Sequence, residues 1–276
     1  MTFLRSIVTT GVLAASLLVA GAATAADRAK LEAFMAVTGF DVALDSLRLS
    51  AGQAPALLGL SEENFGSDWT RLADEVFASE GLRADALDIL EQTMDDEMLN
   101  HAADFYASEL GQRLVEAENT AHMDDSADSD LAGQAIAAQL IEEGSPRIEY
   151  FQQMSAAIGS IENSIRAINE VQVRFLMAAS AAGLTQRELD EAELRAILNN
   201  RADEMREAMQ IGSVTNAAFT YRDFSDADMK AYLDALQQPL MQRVYELMNA
   251  VQFQLQIDRF EILAARMVEL YPQQDI

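Results

Sequence analysis

The chain has 276 residues, with 45 acidic against 19 basic side chains and a formal charge of −26. Such a field repels phosphate backbones, which are bound through Lys and Arg, and it disfavours anionic lipid surfaces; nucleic acid is therefore not an expected partner. Cysteine is absent, which removes disulfides, thiolate chemistry and any thiol that could carry a lipid anchor.

The opening MTFLRSIVTTGVLAASLLVAGAATA has the three parts of a secretory signal peptide. Arg5 is the positive region, residues 7–21 are apolar, and Ala23-Thr24-Ala25 offers small residues at a cleavage site. The expected mature protein begins at Ala26, crosses the inner membrane and resides in the periplasm. No later segment approaches the roughly 20 apolar residues of a transmembrane helix, so none is expected after cleavage.

Apolar spacing is helical almost throughout. A first helix is predicted over 28–50, with Leu31, Phe34, Leu44 and Leu47 on one face, followed by a loop punctuated by Gly52, Pro55 and Gly59. Helices follow from about Ser67 and from about Leu82 to Thr93. Then comes MLNHAADFYASELGQRLVEAEN at 98–119, which returns 130 residues later as DMKAYLDALQQPLMQRVYELMN at 228–249. Leu99, Ala103, Tyr106, Leu110, Leu114 and Ala117 fall on Met229, Leu233, Leu236, Leu240, Val244 and Leu247, a continuous apolar stripe in both phrases. Off the stripe, Asp104, Gln112, Arg113, Glu116 and Asn119 recur as Asp234, Gln242, Arg243, Glu246 and Asn249, identities that periodicity alone does not select. Asp95 and Ser225 are the expected N-caps. A break is expected midway, with Ser108 capping the second helix of the first phrase and Pro239 starting that of the second.

Between the phrases, HMDDSADSD at 122–130 reads as an acidic linker, with Asp130 able to cap a short helix after it. A long helix is predicted from Pro146 to Ala182, its opening IEYF echoing LEAF at 31–34, and ended by Gly183. Thr185 to Glu188 has the pattern of a capping box for the next helix. The Tyr221-Arg222-Asp223 stretch reads as a helix connection, and a last helix runs from Pro239 to about Leu270. The expected fold is all-α, a multi-helix protein built from two related helical modules: signal peptide 1–25, first module 26–122, acidic linker and short helix 123–145, second module 146–276.

Chemistry is sparse. Glu97, His101 and Asp104 share a helix face at metal-ligand spacing, but the second phrase keeps only the aspartate, and surface carboxylates near a histidine are common in so acidic a chain. The Asp124, Ser126, Asp128, Asp130 alternation lacks the Gly and Glu of a calcium loop. No nucleophile elbow, phosphate loop or dinucleotide fingerprint is present. No metal, cofactor or enzymatic activity is expected.

At FYASELGQ, the residues Phe105, Tyr106, Ser108, Gly111 and Gln112 make the chain resemble the domain-of-unknown-function 2059 family of exported bacterial proteins, whose pattern is Phe-Tyr-x-Ser-Pro-x-Gly-Gln before an amphipathic helix. Glu109 replaces the proline. The second phrase keeps Pro239 and Gln242, while Ala235, Leu236, Gln238 and Met241 replace the aromatics, serine and glycine. The resemblance implies a helical envelope or periplasmic protein and supplies no catalytic residues. The leading expectation is a noncatalytic protein that binds another envelope protein or peptide in an amphipathic groove, with Leu233 and Leu236 among its anchors, and that can self-associate. The alternatives are a small-ligand or cation-binding periplasmic protein, then a hydrolase using paired carboxylates.

Overall fold

The computed structural model describes residues 27–58, 67–124, 126–159, 161–185 and 187–270. The expected signal peptide lies outside them. Every regular element among the described residues is helical, and none of those helices is long and apolar enough to cross a membrane.

The helix predicted over 28–50 is three pieces: α1 (Arg28–Thr38), α2 (Phe40–Asp45) and α3 (Leu47–Ser50). The first break falls at Gly39, which holds φ +72°, a left-handed conformation that costs glycine nothing and other residues about a kcal/mol or more. The predicted loop after Ser50 holds a short helix, α4 (Ala54–Leu57), and α5 (Ser67–Val76) and α6 (Ser79–Thr93) follow. The first phrase is α7 (Asp96–Tyr106) and α8 (Glu109–His122); the second is α14 (Asp226–Leu236) and α15 (Pro239–Met267). The caps are those the sequence marks. Asp95 accepts from the Met98 N–H at 2.8 Å, and Ser108 accepts from Gly111 at 3.0 Å. Ser225 and Asp228 form a reciprocal capping box.

Three further expectations are corrected. Ser126, not Asp130, caps α9 (Ala127–Glu142): its backbone is extended and its side chain accepts from the Ser129 N–H, whereas Asp130 already lies within the first turn. The helix expected over 146–182 breaks at Gly159 into α10 (Arg147–Ile158) and α11 (Ile161–Ala181). The box at Thr185 starts no helix. Its hydroxyl donates to the Arg187 carbonyl instead, and α12 (Glu191–Asn199) begins only where Asp190 caps the Glu193 N–H at 2.8 Å. The last new element is α13 (Ala202–Thr220).

α15 is the spine. It packs against α5, α6, α7, α10 and α11, and so carries residues of both expected modules into one contiguous core. The packing has a repeated logic. α1 lies against α6, α7 and α8, and α10 lies against α13, α14 and α15. Both sets meet around a cavity described below.

Arg195 of α12 reaches Glu170 of α11 at 2.7 Å, and Arg174 joins the same carboxylate at 2.8 Å. Arg195 first, then Arg174, holds the Glu170 carboxyl down at about 2, well below its ordinary 4.5. A depressed carboxylate contributes stability above its unfolded pKa and loses it as pH falls through the folded one. Partial solvent exposure limits the contribution to about 0.5–1 kcal/mol. Glu170→Gln is therefore expected to lower the urea midpoint slightly at pH 7, with the gap to wild type closing between pH 4.5 and 2.

Candidate functional site

The last turns of α8 place Glu118, Asn119 and His122 along the wall of a cavity of about 360 Å³. The other walls come from the α1–α2 break (Thr38, Gly39, Phe40), from α10 (Phe151, Met154, Ser155), from the end of α13 with Tyr221, and from Tyr232, Tyr245 and Asn249 of α14 and α15. A Cβ at Gly39 would lie 2.4 Å from Asn119 Oδ1, so the helix break and the α8 wall fit closely. On the other side Asn249 donates to the Ile158 carbonyl at 2.7 Å, tying α15 to the end of α10.

A tyrosine network converges on Glu118. Tyr221 and Tyr232 each donate to its Oε1 at 2.7 Å. The single proton of Tyr232 is thereby committed, so its oxygen can only accept; the Tyr245 and Tyr106 hydroxyls lie 3.2 Å and 3.3 Å from it, and one of the two donates to it. Tyr106 and Tyr245 share a further hydrogen bond. Rings fix the positions of these hydroxyls. Phe105 stacks on Tyr232 with centroids 5.9 Å apart, and Tyr221 meets Tyr232 edge-on at 6.0 Å. The buried Arg147 donates to the Tyr221 carbonyl, holding the connection between α13 and α14 in place.

Burial pushes the Glu118 carboxyl above its ordinary value, against the opposing pull of the two tyrosine hydrogen bonds. Burial likewise raises Tyr106, Tyr221, Tyr232 and Tyr245, so all four remain neutral donors. His122 sits exposed at the rim, with partial burial lowering its pKa. None of the residues lining the cavity is Lys or Arg, and Glu118 is their one carboxylate. The Glu118 carboxylate forms no ion pair among the described residues, and its bonds come from tyrosine hydroxyls.

A raised carboxyl takes up a proton on folding, so its ionisation destabilises the native state above the folded pKa, and the cost disappears as pH falls below the unfolded value. Glu118→Gln keeps an oxygen for the tyrosines and removes the charge. It is expected to raise stability at pH 8 by on the order of 1 kcal/mol, or about 2–4 °C in Tm, with the gain shrinking as pH is lowered toward 4.5. Thermal melts of both proteins across that range give the answer; an unchanged or lower Tm at pH 8 would mean the carboxylate is well solvated.

The residues singled out in the sequence have mixed fates. Phe105 and Tyr106 support the network. Ser108 is a cap, Gly111 is buried at the α7–α8 turn, and Gln112 is exposed, donating to the Ala107 carbonyl at 3.0 Å. Leu233 and Leu236 are buried, at 2% and 1% exposure, so they form no open groove; Leu236 touches the cavity from within the core. Pro239 and Gln242 are exposed at the start of α15. Glu97 and Asp104 are exposed and His101 half-buried on α7, and among the described residues no three His, Cys, Asp or Glu side chains gather to hold a metal ion.

Glu118, Tyr221, Tyr232 and Tyr245 were not legible as a site. Tyr221 in particular reads locally as a connection, which it is, but its hydroxyl reaches Glu118. The available signal was in the mismatches between the phrases. Shifted by 130, Tyr106 faces Leu236, Val115 faces Tyr245, Ala102 faces Tyr232 and Glu118 faces Met248. At each network position, one phrase is polar where the other is apolar.

Residues 80–143 match the family model described as an uncharacterized protein conserved in bacteria (DUF2059). No curated protein and no solved structure matches the chain. The matched span runs from α6 through α9 and contains the whole first phrase and Glu118, so this part of the chain is similar to the DUF2059 family.

Proposed function

We propose that the protein is a noncatalytic, exported binding protein that takes a small ligand into the cavity around Glu118. The observation that carries this reading is a carboxylate held in an aromatic cavity without a cationic partner. Burying such a group lowers stability, and perturbed, uncompensated ionisable groups concentrate at functional sites. At about 360 Å³ the space is at the small end of ligand pockets. With one carboxylate in the wall, the paired acids of a hydrolase have no second member there. Export rests on the leader-like residues 1–25, and with it a periplasmic location. The two phrases, with helices of equal length at α7 and α14 and matching breaks, are read as a duplication whose copies diverged where they meet.

The test is a thermal-shift screen of the chain from Ala26 against a broad set of small metabolites, repeated on Ser155→Leu, which fills the cavity from α10. At least one class of compound is expected to stabilise the wild type and to lose its effect in the variant. A screen with no stabilising compound, or shifts equal in both proteins, would overturn the proposal. Docking of another envelope protein or peptide is the second reading. Exposed apolar side chains favour it: Leu131 (63%) and Ile141 (64%) on α9, and Ile211 (61%) on the adjoining α13. In-cell cross-linking that captures a single partner, lost in a Leu131→Lys, Ile141→Lys variant that still folds, would support it over the cavity.

A further inference from the structure

Resting on that binding reading, we infer that the cavity selects a small organic ammonium ion, with Glu118 as its counter-charge. The lining contains one anionic side chain, no guanidinium and no lysine amine, so an anionic ligand would meet repulsion without compensation. Glu118 Oε1 is occupied by the hydroxyls of Tyr221 and Tyr232, both at 2.7 Å, and this fixes the carboxylate's orientation while its other oxygen remains able to accept. An ammonium N–H donated to that oxygen supplies the charge-assisted hydrogen bond the half-buried carboxylate lacks. Phe151, Tyr221, Tyr232 and Tyr245 give the wall aromatic rings, which attract cations more than neutral isosteres. The net charge of −26 draws cations toward the molecule at long range. The volume limits the ligand to something the size of a simple alkyl- or aralkylammonium and rules out a folded peptide.

Three probes of one shape and different charge separate the ligand class from binding as such: benzylamine, benzyl alcohol and benzoate, titrated calorimetrically into the chain from Ala26 at pH 7. Benzylamine is expected to bind saturably, roughly tenfold or more tighter than benzyl alcohol, the scale of one charge-assisted hydrogen bond, with benzoate giving no saturable heat. Glu118→Gln, expected to be folded and more heat-stable than wild type, should remove the preference for the amine. Tyr221→Phe, which deletes one hydroxyl from the carboxylate and keeps the ring, should weaken benzylamine less than Glu118→Gln does. Equal binding of benzylamine and benzyl alcohol, or an amine preference that survives Glu118→Gln, overturns the ammonium assignment and leaves a neutral-ligand cavity standing. If all three probes fail and no compound from the wider screen binds, both the assignment and the binding reading fall.

Discussion

Leu233→Asp is expected to abolish the cooperative native state. Leu233 is 2% exposed on α14, inside the contiguous core and on a helix packed against α10. Truncating a buried leucine already costs about 2–5 kcal/mol, and an unpaired carboxylate at the same place adds the cost of burying a charge or of forcing its protonation. The sum is comparable to the whole stability of a typical domain, about 5–15 kcal/mol. Circular dichroism should show no sharp melt, and urea unfolding should have no native baseline. Ala231→Asp introduces the same carboxylate two residues away on the exposed face of α14, and its stability should lie within about 0.5 kcal/mol of wild type. The contrast matters for function as well as for packing. A folded Leu233→Asp with a normal melt would mean the apolar stripe of the second phrase is an open groove, and a peptide-binding role would regain first place.

Local signals carried most of the fold. Caps at Asp95, Ser108 and Ser225 and the proline at 239 depend on residues a few positions apart, and each appears where the sequence marks it. The errors came where a local signal had a competitor. Apolar spacing continues across Gly39 and Gly159, so periodicity sees one helix where the backbone turns aside in between. Thr185 has the right partners for a cap, but Asp190 offers a stronger acceptor five residues later and wins. The candidate site was hidden for a different reason. Its hydroxyls and carboxylate come from residues 106, 118, 221, 232 and 245, which only the packing of α7, α8, α14, α15 and the end of α13 unites. His101 had the opposite character: helical spacing gathered acids around it, but Glu97 and Asp104 point to solvent, where carboxylates are individually unremarkable. Chemistry made by one helix is readable from spacing; chemistry made by several requires knowing which faces meet.

Gly111→Ala tests how the two phrases keep one turn by different means. A Cβ at Gly111 would lie 2.3 Å from the Phe105 carbonyl oxygen and 2.5 Å from Tyr106 Cα. Both are backbone atoms, so no side-chain rotation relieves the overlap; α8 must move away from α7 or the turn must open. Overpacking of this kind costs about 3 kcal/mol, expected as a fall of about 6–12 °C in Tm. The displacement should pass directly to Tyr106, whose hydroxyl joins Tyr232 and Tyr245, so any ligand held at Glu118 should also bind more weakly. At the equivalent place the second phrase carries Met241, fully buried, with Pro239 setting the first turn of α15. There the side chain fills space that α7 and α8 close by direct backbone approach. Met241→Gly should therefore destabilise for the opposite reason, by leaving a void, at about 2–5 kcal/mol. If Gly111→Ala instead melts with wild type, the turn can relax at little cost. The glycine of the Phe-Tyr-x-Ser motif would then need another explanation than the close approach, and the tyrosine network would have to be held by Phe105 and the core alone.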